Sequence, residues 1–199
     1  MMRQAAAPID RSMESLVPFL AASEQRRLVA MSDQGRALAR AHAYVLLRSL
    51  LDLSAAAAPV DYKTSGAPRM TSHPLHISIS HSSERVLVAL CDDRRVGVDI
   101  ADLRERVNTA GFLDYATEAT ERPLLGALTS SGWSLRSALT IFWSMKEAVF
   151  KCIGTDFVPK HARVRSIGGG HAIVQHESTR YACAYRFDRM HVETVAVAQ

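Results

Sequence analysis

The stretch Ser134-Leu-Arg-Ser-Ala-Leu-Thr-Ile-Phe-Trp-Ser-Met-Lys-Glu-Ala-Val-Phe-Lys-Cys-Ile-Gly154 carries the strongest periodic signal in the chain. Leu135, Ala138, Leu139, Phe142, Met145, Val149 and Cys152 recur at helical spacing, so they form one apolar stripe and predict a long helix over 134–153. Ser134 suits the N-cap, because its hydroxyl accepts a first-turn N–H, and Gly154 offers a stop. Glu147 and Lys151 stand four apart, roughly opposite the stripe, with Trp143 one turn before Glu147. Spacing alone reads the two charges as a helix-stabilising pair on a solvated face worth a few tenths of a kcal/mol, with Lys146 as another surface charge.

Working outward, Ala162 to Ile167, Ala172 to His176, Tyr181 to Phe187 and Val192 to Val197 read as strands, with Gly168-Gly169-Gly170 as a hairpin turn. Upstream, Leu75, Ile77 and Ile79 alternate with His76, Ser78 and Ser80, as a half-buried strand demands. His81-Ser82-Ser83-Glu84 reads as a turn, and Val86 to Cys91 as a second strand ended by Asp92-Asp93. A third, Arg95 to Ala101, sets Val96, Val98 and Ile100 against Gly97, Asp99 and Ala101, completing a small antiparallel meander. Residues 103 to 133, with Pro123 and Gly126, read as a short helix plus loop.

After an opening tail, Leu28, Met31, Leu38, Val45, Leu46 and Leu50 recur near helical spacing with Arg26, Arg27, Arg36, Arg40 and Arg48 between them, which predicts a basic helix or pair of helices. Ala55 to Ala58, Pro59 and then Thr64-Ser65-Gly66-Ala67-Pro68 form a turn-bearing connection. The chain is thus helix then meander, twice over, which is an α+β pattern.

With 199 residues, 48% hydrophobic and 22% charged, the chain can bury a sizeable core, and disorder, collagen and coiled coil are excluded. The net charge of +4 permits an anionic partner without choosing one. Three scattered cysteines, Cys91, Cys152 and Cys183, with no CxxC pair argue against a disulfide framework or a zinc site. No stretch reaches the length of a membrane span or a signal-peptide core, so a soluble, cytoplasmic protein is expected.

Asp99 sits mid-strand, where aspartate is disfavoured, on the face that Gly97 and Ala101 leave sterically open. It reads either as a solvent-facing or capping carboxylate or as a ligand for a hard cation such as Mg²⁺, with Glu147 as its partner from the helix. His81 beside Ser78, Ser80 and Ser82 reads either as a turn residue with local hydrogen bonds or as a phosphate contact. Neither a GxxxxGK[ST] loop nor a GxGxxG loop occurs.

Taken in order, Ser78-Ile-Ser-His81-Ser82, Val96-Gly97-Val98-Asp99-Ile100 and Trp143-Ser-Met-Lys146-Glu147-Ala-Val-Phe-Lys151 resemble the three motifs of the 4′-phosphopantetheinyl transferases of the surfactin-synthetase-activating type. The resemblance runs from about Arg36 to Lys151, and the strands that follow suit the family's second half. It implies a monomer of two similar, pseudo-twofold α/β halves, over 1–101 and 102–199, each a small antiparallel sheet packed with a long helix, with the site between them. It implies transfer of the phosphopantetheine arm of coenzyme A to a serine of an acyl, peptidyl or aryl carrier protein, with release of adenosine 3′,5′-bisphosphate. Asp99 and Glu147 would ligate Mg²⁺, or Mn²⁺; Glu147 would also take the serine proton, directly or through a water. Lys151 would hold a phosphate oxygen. Ser80 and His81 would meet the 3′-phosphate end of coenzyme A, with Arg36, Arg40 and Lys63 as further cations. The resemblance also implies that the carrier docks through an acidic helix, with the 103 to 133 segment as a contact.

Two positions depart from the family's pattern. Ala101 stands where many relatives carry a second acid, which would weaken metal binding, and Ala67 stands where relatives commonly carry lysine, with Arg69 or Lys63 to compensate. A homologue that binds coenzyme A or a carrier protein with impaired catalysis is therefore the alternative reading. A nucleic-acid-binding module rests only on the charge and the arginine-rich helix and lacks interleaved aromatics or an RNP-type string, so no nucleic-acid partner is expected.

Overall fold

The computed structural model describes residues 1–54, 59–64, 66–103, 109–155, 158–188 and 190–199. The Ala55–Ala58 run and Ser65, assigned above to the connection, and positions 104–108 of the segment after the third strand lie outside the described residues. The chain divides into two units, Met1–Val96 and Gly97–Gln199, each a mixture of helices and sheet. No described helix is long and apolar enough to cross a membrane.

The first unit runs β1 (Met2–Pro8), α1 (Met13–Leu16), α2 (Ala22–Val29), α3 (Gln34–Ser49), β2 (Val60–Tyr62), β3 (Pro68–Met70), β4 (His76–His81) and β5 (Arg85–Cys91). β5 is central and pairs antiparallel with β1 on one edge and β4 on the other. The opening tail is therefore strand from Met2 to Pro8: its alanines carry no period-two pattern, and its backbone bonds to β5, in register from Met2↔Cys91 to Pro8↔Arg85, make the strand. Ser82 closes the β4–β5 turn by accepting the Glu84 and Arg85 N–H groups at its hydroxyl.

Two expectations fail here for packing reasons. Ser78 and Ser80 are buried rather than solvated, because both rows of β5, Val86/Val88/Leu90 and Leu87/Ala89/Cys91, are covered. In α3, capped by Asp33, whose side chain accepts from the Arg36 N–H, the buried face is Ala37, Ala41, Tyr44 and Leu47. The row Leu38, Val45, Leu46 and Leu50 is only partly buried against the same core, because small alanines let the helix settle deeper on a neighbouring face.

The second unit runs β6 (Val96–Asp102), α4 (Thr109–Ala116), α5 (Arg122–Ser130), α6 (Leu135–Ile153), β7 (Ala162–Gly168), β8 (His171–His176), β9 (Thr179–Phe187) and β10 (His191–Ala198). Its sheet has the order β6-β10-β9-β8-β7, and α6 packs on β10. The third strand of the expected meander is β6, and it joins β10 instead, since β1 and β4 already occupy both edges of β5. The described part of the 103 to 133 segment holds two α-helices, with a 3₁₀ turn at Ala119–Glu121 between them, rather than one helix, and Pro123 is tolerated in the first turn of α5 because no N–H is needed there. The α6 expectation holds at both ends: Ser134 Oγ accepts the Ser137 N–H at 3.1 Å, and Gly154 takes φ 78°. Gly169 and Gly170, at φ 57° and 79°, make the two-residue turn between β7 and β8. Leu139, Phe142, Met145, Val149 and Cys152 of the stripe enter one core with Val164, Val174, Cys183 and Val192.

Candidate active site

The site is set by how closely α6 approaches β6. A Cβ placed on Gly97 would lie 1.8 Å from the Ala148 carbonyl oxygen and 2.4 Å from the Cys152 N, so only glycine lets the helix backbone rest on the strand. The strand face that Gly97 leaves bare is thus filled by α6 and is not open space. Asp99 lies two residues along the same face and meets Lys151, which projects from the helix between Ala148 and Cys152.

Lys151 Nζ donates to Asp99 Oδ1 at 2.7 Å and stands 3.7 Å from Glu147 Oε2. The structure thus brings together three of the sequence-derived candidates, Asp99, Glu147 and Lys151. Asp99 is buried, whereas the Glu147 and Lys151 side chains keep 25% and 31% of their exposure, so the pair is half-buried rather than a freely solvated surface pair. Burial pushes the Glu147 carboxyl above its ordinary pKa; the Lys151 ammonium opposes this, and the Asp99 carboxylate adds to it. Two carboxylates that share one ammonium are hard-oxygen donors of the type a divalent cation takes, and in this structure Lys151 supplies the positive charge between them. Among the described residues no group of three or more His, Cys, Asp or Glu side chains gathers, and Ala101 packs against the core.

The rest of α6 is pinned by contacts that spacing alone did not reveal. Lys146 is fully buried rather than a surface charge: its Nζ donates to Glu121 Oε2 at 2.8 Å and to the Ala116 carbonyl at 2.7 Å. A signal was present, for Lys146 follows Phe142 by four and precedes Val149 by three, which places it on the apolar stripe. Ser144 and Thr194 share a hydroxyl hydrogen bond at 2.9 Å, fastening α6 to β10. Trp143 stacks with Phe112 and Tyr115 of α4, at 5.0 and 6.0 Å between ring centres.

The remaining candidates belong to the first unit. Arg36 is exposed in the first turn of α3, 3.4 Å from Asp33. Arg40 lies over the Tyr62 ring at 5.1 Å, with Arg27 over the same ring at 5.3 Å. Lys63 is exposed at the turn after β2, where its N–H donates to the Ala67 carbonyl at 2.9 Å. Arg69 is engaged by Asp61 at 3.0 Å. Ser80 is buried near the end of β4, and His81, half-buried, ends it.

Comparison with known proteins adds an independent observation. The model of the 4′-phosphopantetheinyl transferase superfamily matches residues 95–199, more than half of the chain. No curated protein matches it significantly. With Asp99, Glu147 and Lys151 all inside the matched region, the chain belongs to the 4′-phosphopantetheinyl transferase superfamily.

Proposed function

We propose that this chain, as a cytoplasmic monomer of the surfactin-synthetase-activating type, transfers 4′-phosphopantetheine from coenzyme A to a serine of an acyl, peptidyl or aryl carrier protein. The observation that carries the reading is the convergence of Asp99, Glu147 and Lys151, with the Lys151 ammonium 2.7 Å from one carboxylate and 3.7 Å from the other. The serine oxygen bonds to the phosphorus that bears the pantetheine arm. The bridging P–O bond breaks, and adenosine 3′,5′-bisphosphate leaves with that electron pair. Glu147 takes the hydroxyl proton, directly or through a water. Lys151 binds a phosphate oxygen and offsets charge on the leaving side. Asp99 and Glu147 are the residues to hold Mg²⁺, which when bound supplies neutralisation of the phosphate oxygens. In the first unit, Arg36, Arg40, Lys63, Ser80 and His81 are the proposed contacts for the 3′-phosphate end of coenzyme A.

The test is intact-protein mass spectrometry of several carrier proteins incubated with the chain, coenzyme A and Mg²⁺. Transfer adds about 340 Da to the carrier. Ala101 and Ala67 favour a second reading, a homologue that binds coenzyme A with impaired catalysis. Coenzyme A binding by calorimetry that ignores Mg²⁺, together with unmodified carriers throughout, would establish that reading and sink the first.

A further inference from the structure

One arrangement of contacts occurs in each unit. In the first, Glu24 is fully buried: Oε2 accepts the Ala21 N–H at 2.9 Å, and Oε1 accepts the Val60 N–H and Arg48 Nη1, each at 2.7 Å. Arg48, on α3, also donates through Nη2 to the Phe19 carbonyl at 2.6 Å. In the second, Glu121 is equally buried: Oε2 accepts the Glu118 N–H and Lys146 Nζ, each at 2.8 Å, and Oε1 accepts the Val164 N–H at 2.7 Å. Lys146, on α6, also donates to the Ala116 carbonyl at 2.7 Å. The correspondence is positional. Each glutamate reaches back three residues to a backbone N–H, each cation sits on the unit's long helix and caps a carbonyl two residues before that N–H, and each glutamate takes an amide from a strand that follows the helix.

A buried ion pair of this kind adds little net stability over a well-packed apolar replacement, but here Glu121 and Lys146 are also tied to the Glu118 and Val164 N–H groups and the Ala116 carbonyl at 2.7–2.8 Å, which fixes the helix against those segments. In the second unit the clamped helix is the one that carries Glu147, the residue next to Lys146, and Lys151. We propose that Lys146 and Glu121 are positioning residues whose clamp sets the rotation of α6 and so aims Glu147 and Lys151 for the transfer. The inference rests on the functional reading above. Arg48 performs the same task in the first unit, so the clamp tolerates a guanidinium in place of an ammonium, and this makes the rescue by arginine a specific expectation.

Four variants test it: Lys146→Met, Glu121→Asp, which keeps the charge but shortens its reach, Lys146→Arg, and Val174→Ala as a buried control in the same core. Each is melted first and then assayed well below its midpoint. Two quantities are read, kcat at saturating coenzyme A, carrier and Mg²⁺, and Mn²⁺ affinity of the protein alone by water-proton relaxation. Lys146→Met and Glu121→Asp should each lose about 10–100-fold in both, as expected when a group that orients a ligand is removed. Lys146→Arg should recover most of that loss, and Val174→Ala should lower the melting midpoint without moving either quantity. A folded Glu121→Asp with unchanged kcat and Mn²⁺ affinity overturns the proposal even if Lys146→Met fails to fold, as does a Lys146→Arg no better than Lys146→Met. A wild-type chain that modifies no carrier overturns the functional reading, with the Mn²⁺ comparison still reporting on the clamp.

Discussion

Gly97 of β6 and Ala148 of α6 meet backbone to backbone: a Cβ on the glycine would fall 1.8 Å from the alanine's carbonyl oxygen. The obstructing atoms belong to helix main chain and cannot turn aside as a side-chain tip would. Gly97→Ala should therefore lower stability by about 3 kcal/mol, the upper end of the usual overpacking cost, read by urea titration. Its kcat should fall further than the folded fraction accounts for, because the displaced helix holds Glu147 and Lys151. A variant of unchanged stability would show that α6 can withdraw freely from β6.

Glu147→Gln separates catalysis from folding. Loss of the base should cut kcat by about 10²–10⁴-fold. Since the folded-state pKa is raised, Glu147 favours the fold in its protonated form; that contribution is present below the ordinary value of 4.5 and is lost as pH rises through the raised value. At neutral pH the neutral amide should thus leave the melting midpoint equal or higher. A clearly lower midpoint would contradict the direction of the shift.

The same carboxyl sets a pH dependence. At limiting Mg²⁺ the acid limb of kcat/KM should lie above the ordinary 4.5 of glutamate, because protonated Glu147 cannot accept the serine proton. Raising Mg²⁺ should move that limb to lower pH, since a cation beside the carboxylate favours its charged form. A limb that stays fixed across a Mg²⁺ titration would remove Glu147 from the metal's neighbourhood.

Lys151→Met removes the ammonium from beside the buried Asp99 carboxylate and should lower stability by about 1–3 kcal/mol. Mg²⁺ should raise the melting midpoint of this variant more than that of the wild type, because a divalent cation takes over the vacated charge. Equal shifts in both proteins would argue against a metal at Asp99.

In the first unit, Arg40→Ala should raise KM for coenzyme A about tenfold or more, with kcat nearly unchanged, as loss of a charged hydrogen bond to phosphate predicts. Arg36→Ala, in the exposed first turn of α3, is expected to do less. Steady-state kinetics over a range of coenzyme A concentrations decides between them, and an unchanged KM in both would place the 3′-phosphate elsewhere.

For α6, the residues in order were enough. The stripe, the Ser134 cap and the Gly154 stop are local chemistry within one element, and they appear in the fold at the expected positions. The hairpins of the second unit were legible for the same reason, since alternation and paired glycines act over a few residues. The candidacy of Asp99, Glu147 and Lys151 was also readable, from an aspartate set mid-strand and a charged pair four residues apart.

What spacing could not carry are contacts between distant parts of the chain. The exchange of β1 for β6 beside β5 is a competition for backbone partners that no alternation pattern encodes. The need for glycine at 97 comes from a helix fifty residues away resting on it. Lys146 lies on the apolar stripe by spacing, but the partners that let its charge enter the core, Glu121 and the Ala116 carbonyl, are remote in sequence and no periodicity names them. The sequence thus supplied the functional groups and their helices and strands, while tertiary packing alone set which groups face one another, at what distance and in what degree of burial.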